Sequence, residues 1–218
     1  MKTNADLQRD VQDAIKWEPL LNAAEIGVIA KDGVVTLTGT VDSYAKKLEA
    51  ETAAKSVVGV KAVVEKIDVR FSDSFTKSDT DIANDAVKAL KSTSDLPADK
   101  IEITVENGWA TLEGEVPWNF QKEAARYAVS NLLGVKGVTN NIKIIPTFKD
   151  AVEQRAIEYA LARSWAVDDE DIHVHVAGSS VKLDGVVHSF YQKDEAARIA
   201  WNAPGVLAVD NELVIEYE

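Results

Sequence analysis

Three glycines placed inside strand-like runs constrain this chain more than any other feature. Gly39 lies in GVVTLTGTV (33–41), Gly114 in WATLEGEV (109–116) and Gly185 in SSVKLDGVV (179–187), and each is followed after the same interval by another glycine, Gly59, Gly134 or Gly205. Self-similarity at a fixed spacing marks a repeated supersecondary unit. The three segments align without an internal gap. Lys47, Lys122 and Lys193 share a position, as do Ala50, Ala125 and Ala196, then Val60, Val135 and Val206, then Val63, Val138 and Val209. Upstream, Leu37, Leu112 and Leu183 match, then Ile26, Ile101 and Ile172, and in the first helix Ile15, Leu90 and Leu161 with Val11, Ala86 and Ile157. Insertions fall only at the joins, so the chain divides into units at 1–72, 76–146 and 147–218.

Each unit reads as αββαβ. Thr3, Ser78 and Thr147 each precede an aspartate by three residues, the pattern of a capping box ahead of apolar spacing at i, i+3, i+4. A short alternating strand follows (26–28, 101–103, 172–174), then a turn on Asp32-Gly33, Asn107-Gly108 or Gly178-Ser179. The first two are strong hairpin signals, because both residues of such a turn need positive φ. In the second strand the inward parity runs Val35, Leu37, Gly39, Val41. The second helix lines one face with Ala50, Ala53, Ala54 and Val57, and Gly59 is expected just past its end. A third strand through Val63, Ile67 and Val69 closes the unit. The strand glycines are expected to let the alanine-lined helix approach the sheet closely. The predicted fold class is α+β: three tandem units, each a three-stranded sheet with two helices on one face.

A unit of about seventy residues with DGVVTLTGTV (32–41), NGWATLEGEV (107–116), LLGVKGVTNNI (132–142) and APGVLAVDNEL (203–213) resembles the BON domain of bacterial osmotically inducible and nodulation proteins. VPWNFQKEA (116–124) and AWNAPGV (200–206) are similar to the second and third units of three-BON bacterial proteins. The resemblance implies a binding role in envelope or osmotic-stress physiology, often with a proposed affinity for phospholipid, and no known enzymatic chemistry. Well-studied members of that family are periplasmic and carry signal peptides. The opening MKTNADLQRDVQDAI has no apolar core of that kind, so the chain as written is expected in the cytoplasm, or in the periplasm if a leader was removed.

The net charge of −12 opposes general nucleic-acid binding, which needs a basic stripe to displace counterions from phosphates. The absence of cysteine excludes disulfides and thiolate metal sites. No run of eighteen apolar residues suggests a transmembrane segment. His173 and His175 share a face of one strand, and His188 has the same parity on the next, but pairing about the 177–180 turn leaves His188 roughly 13 Å away, too far to close a tetrahedral site. The run Asp168-Asp169-Glu170-Asp171 lacks the alternation and the glycine that a calcium loop uses. Neither a nucleophile elbow, a phosphate loop nor HExxH occurs. The reading is of a non-enzyme, with no metal and no cofactor.

Two kinds of residue are candidates for contact with a partner. Trp109, Trp118 and Phe120, beside Pro117 and Lys122, suit the headgroup level of a lipid interface; packing between units is the alternative use of the same rings. Lys46, Lys47 and Lys55 on the second helix of unit one, with Lys61 and Lys66 after it, form a positive patch, and Lys122 with Arg126 is its counterpart in unit two; a solvated helix face is the alternative. Residues 1–75 and 76–146 carry −2 each and 147–218 carry −8, so contact with an anionic surface is expected in the first two units. Two functions stay open: a peripheral binder of anionic phospholipid, and a protein-interaction or holdase-like stress protein that holds a client protein. An oligomer is compatible with either.

Overall fold

The computed structural model describes residues 2–72, 77–145, 151–164 and 171–216. The first repeat runs α1 (Asn4–Trp17), β1 (Ile26–Lys31), β2 (Val34–Val41), α2 (Tyr44–Lys55) and β3 (Ala62–Val69). The second runs α3 (Asp79–Ser92), β4 (Ile101–Glu106), β5 (Trp109–Val116), α4 (Asn119–Ser130), β6 (Gly137–Asn140) and β7 (Lys143–Ile144). The third runs α5 (Gln154–Ala162), β8 (Ile172–Ala177), β9 (Ser180–Val187), α6 (Phe190–Trp201), β10 (Ala208–Asn211) and β11 (Val214–Ile215). The fold is α+β, as the period of the sequence predicts. The chain divides into two compact units, one of Met1–Thr38, Glu49–Lys66 and Phe148–Glu218, the other of Gly39–Leu48 and Ile67–Thr147.

Local chemistry starts each repeat. Thr3 Oγ1 accepts the Asp6 N–H at 3.2 Å, and Ser78 Oγ accepts that of Asp81 at 3.2 Å while the Asp81 carboxylate accepts the Ser78 N–H at 3.4 Å. These bonds occupy N–H groups that the first helical turn leaves without partners. Thr147 and Asp150 lie outside the described residues, and α5 begins at Gln154, leaving nine residues where α3 has fourteen. Asp32, Gly33, Asn107 and Gly108 all have positive φ, as the two-residue hairpin requires; in the third turn only Gly178 does.

The aligned apolar positions are the core. Ile82, Ala86, Leu90, Ile101, Leu112, Ala125 and Val135 are buried together in the second repeat, and Ile157, Leu161, Ile172, Leu183, Ala196 and Val206 in the third. Val11, Ile15, Leu37, Ala50, Ala53, Ala54 and Val60 are buried in the first. Helices with a narrow apolar stripe can bury it only against the inward face of the sheet, which places both helices of a repeat on that face.

The strand glycine has a different cause from the one its parity suggests. Gly114 has φ 133°, and a Cβ built there would stand 2.1 Å from the Lys100 carbonyl oxygen and 3.1 Å from Ile101 Cα. At Gly185 (φ 126°) the same atom would stand 1.9 Å from the Asp171 oxygen. The clash is with backbone where the neighbouring antiparallel strand enters, in the pairs Ile101 with Gly114 and Ile172 with Gly185, and not with the alanine-lined helix. Gly59 (φ 111°) is also displaced from its expected place, since α2 ends at Lys55 and the glycine sits in the turn beyond.

The closing strand is continuous in the first repeat and interrupted in the others. β6 and β7 both pair parallel with β5 in one register, Trp109 with Gly137 through Val116 with Ile144, and β10 and β11 pair with β9 likewise. At the interruption Asn140 donates through Nδ2 to the Lys122 carbonyl at 2.8 Å and accepts the Ile142 N–H at 3.3 Å. Asn211 repeats both bonds with Lys193 and Leu213. The side chain takes the place of a ladder partner and ties the strand to the second helix. Glu65 stands at this position in β3.

Candidate functional site

One end of the second repeat collects residues far apart in sequence. β5 stops at Val116 because Pro117 has no N–H for a ladder. The buried Gln121 side chain then fixes the chain's entry into α4: its Oε1 accepts the Trp118 N–H at 3.2 Å, and its Nε2 donates to the Asp95 carbonyl at 2.6 Å. Trp118 and Phe120 are left 41% and 51% exposed. β7 ends alongside, with Lys143 opposite Glu115, and the Ile145 N–H donates to the Val116 carbonyl at 2.8 Å. Ile145 is 50% exposed. Lys100 arrives from the start of β4, and a shallow groove is lined by Lys100, Gly114, Glu115, Val116, Pro117 and Ile145. Trp118, Phe120 and Ile145 are thus exposed at one end of the repeat, where Lys100 and Lys143 are exposed too, with Glu115 opposite Lys143 and in the same groove as Lys100.

The other candidates are placed differently. Trp109 opens β5 and Trp118 follows its end, so the two rings are roughly 25 Å apart at strand rise and form no single cluster. The Trp109 ring lies over Gly137, where a Cβ would stand 2.4 Å from it, and its Nε1 donates to Thr139 Oγ1 at 2.8 Å. That ring clamps β5 to β6. Lys46 lies 2.8 Å from Asp42 and Lys55 2.7 Å from Glu51, both one helical turn away. Lys47 Nζ donates to the Ile67 carbonyl at 2.8 Å, as Lys193 does to Leu213 at 2.7 Å, so this aligned lysine anchors the second helix to the closing strand. Arg126 is paired with Glu123 at 2.9 Å, and Lys122 is half-buried on α4.

His173 stands opposite Asp184 and His175 opposite Lys182, while His175 Nε2 lies 3.0 Å from Asp184 Oδ1. Among the described residues no group of three His, Asp or Glu side chains could hold a metal ion. Of the carboxylate run only Asp171 is described, and its carbonyl accepts the Val186 N–H at 3.1 Å. Glu49 holds its proton more tightly than an ordinary glutamate, because partial burial and then the facing Glu18 carboxylate disfavour its charge. Among the described residues no helix is long and apolar enough to cross a membrane.

Sequence reasoning reached Trp118 and Phe120 but missed Lys100, Lys143 and Ile145. The β4–β5 pairing brings Lys100 to that end, and the β5–β7 register brings Lys143 and Ile145. Trp17, 83% exposed, and Leu20, 61% exposed, after α1 were also missed, because no aligned partner drew attention to them.

Small α+β repeats with an entering strand crossed by a glycine and an alanine-faced second helix define a tandem module class. The chain belongs to the BON domain family, which it matches at residues 3–70, 78–146 and 149–217. It is 29% identical over 127 residues to osmotically-inducible protein Y of Escherichia coli strain K12; the match covers 56% of this chain and 63% of that protein's length. Among solved structures it is similar to the C-terminal domain of CdsD, the structural protein of the type III secretion system of Chlamydia trachomatis, at 17% identity, with 99% of this chain and 100% of that one covered and a TM-score of 0.26. A second CdsD structure is 16% identical, covering 97% and 92%, with a TM-score of 0.24.

Proposed function

We propose that this is a non-catalytic BON protein of osmotic-stress physiology that binds anionic phospholipid surfaces peripherally through the Trp118 end of its second repeat. The stress context comes from the likeness to osmotically-inducible protein Y. The observation that carries the site is the exposure of Trp118, Phe120 and Ile145 at the end of the repeat where Lys100 and Lys143 also stand. Indole rings favour the headgroup level, and each lysine near an anionic surface contributes about 1 kcal/mol. Lys46, Lys55 and Arg126 contribute less in this reading, since each has a carboxylate within hydrogen-bonding distance.

Co-sedimentation of the full chain with vesicles of phosphatidylglycerol and phosphatidylcholine, against phosphatidylcholine alone, tests it. Binding is expected only with the anionic lipid and weakens with salt, because exposed charges are screened beyond about 8 Å at physiological ionic strength. Lys100→Glu with Lys143→Glu is expected to lower affinity more than tenfold, and Lys46→Glu with Lys55→Glu to lower it less. Binding indifferent to lipid charge, or unaffected by the Lys100 and Lys143 changes, moves the assignment to a protein-interaction or holdase-like role. That second reading draws on Trp17 and Leu20, exposed after α1, which would suit an apolar client contact.

A further inference from the structure

Each repeat leaves its first strand at the edge of its sheet: among the described residues β1, β4 and β8 pair on one side only, with β2, β5 and β9. An open edge is a row of N–H and C=O groups that recruits another strand unless charge guards it. β4 sets Glu102, Thr104 and Glu106 on its outer face, and β8 sets His173 and His175 there. β1 has no ionisable side chain before its last residue, Lys31. Its outward residues are Gly27, Ile29 and Lys31, and Ile29 is 60% exposed. A groove lined by Gln12, Asp13, Lys16, Ile26 and Val28 lies between α1 and this strand, so the helix leaves the strand's free side open.

We infer that β1 is a self-association edge whose occupant is β1 of a second copy of the chain, paired antiparallel about a two-fold axis at Val28. The strand is complementary to its own reverse. Opposite residues of an antiparallel pair point to one face, so only registers centred on a residue keep the buried faces together. Centred on Val28, Gly27 of one copy lies opposite Ile29 of the other and Ile26 opposite Ala30, so each large side chain meets a small one. Glu25, exposed just before the strand, then lies opposite Lys31, and the two-fold axis makes that pair twice. Centring on Gly27 sets Glu25 against Ile29, and centring on Ile29 sets Lys31 against Gly27, so both registers lose the charge pair. The same operation brings Glu102 into the junction of two β4 strands and sets His173 against His175 between two β8 strands, where β1 has only apolar residues. The product is a sheet of six strands, three from each copy. One short ladder is a small interface, which makes the association weak and concentration-dependent.

Sedimentation equilibrium of the full chain in lipid-free buffer, from micromolar to millimolar concentration, is expected to show mass rising from one chain towards two. Ile29→Glu, at an exposed position, puts a carboxylate diagonally beside Glu25 of the other copy, and is expected to weaken dimerisation about tenfold or more with the melting temperature retained. Glu25→Lys alone weakens it although the chain becomes less negative, Lys31→Glu alone weakens it, and the two changes together restore it. The chain has no cysteine, so Glu25→Cys and Lys31→Cys chains are expected to form a mixed disulfide when oxidised together and none when oxidised apart, since like positions are roughly 20 Å from each other across the pair. These positions all lie in the first repeat, so the lipid reading at the second stands or falls separately. A monomer at every concentration, a dimer indifferent to Ile29→Glu, a double charge swap that fails to recover the dimer, or equal self-linking by either cysteine variant alone would overturn the inference.

Discussion

The carboxylate of Asp79, at the first position of α3, accepts the backbone N–H of Asn107 at 2.7 Å and that of Gly108 at 2.8 Å, binding the start of a helix to the tip of a hairpin 28 residues later. Asn4 does the same for Asp32 in the first repeat, through one bond at 2.8 Å. The hairpin turn exposes two N–H groups that its own residues cannot satisfy, and the helix start supplies the acceptor.

Removing that acceptor should therefore loosen two elements at once. Asp79→Ala is expected to cost about 1–2 kcal/mol, the usual penalty for losing a cap or a charge-assisted bond. Asp79→Asn should retain part of it, as Asn4 does naturally. Urea unfolding of the three proteins gives the order directly.

Gly114 offers a sharper test, because its cause is backbone. Even Gly114→Ala places a Cβ 2.1 Å from the Lys100 oxygen at φ 133°, and a loss of about 3 kcal/mol or more is expected from strain and clash together. Trimming the facing helix with Ala125→Gly should give no rescue. Rescue by that change would restore the view that helix packing selects the glycine.

Asn140 holds the interruption between β6 and β7. Asn140→Ala leaves the Lys122 carbonyl and the Ile142 N–H without their side-chain partner, at an expected cost of about 1–2 kcal/mol. Faster amide exchange at Ile142 than at Val138 would locate the damage at the break.

The Glu18 and Glu49 pair gives stability a pH dependence of known sign. The folded chain holds the Glu49 proton more tightly than the unfolded chain does, so the contribution is present at acid pH and is lost as pH rises through the raised value. At pH 7 the two carboxylates repel. Glu49→Gln is expected to stabilise there by a few tenths of a kcal/mol, screened as a partly exposed pair must be, and to give no advantage below about pH 4. Thermal melts at both pH values decide it.

Amino-acid order alone determined the repeat, its αββαβ content, the buried faces and the His173 and Asp184 pairing, since apolar period and turn chemistry act within a few residues of one another. It also determined that Lys47, Lys122 and Lys193 are equivalent, but not that Lys47 and Lys193 use their ammonium groups on the carbonyls of Ile67 and Leu213, which lie 20 residues on. Only the tertiary structure decided the site. Lys143 and Ile145 reach Trp118 through a parallel register across the sheet, and Trp109, near it in sequence, is carried to the strand's other end. It likewise decided why Gly114 is glycine. Parity locates a side chain on a face, whereas the atom that excludes it here is a carbonyl of the neighbouring strand, whose approach depends on how two strands cross and leaves no trace in either strand's own sequence.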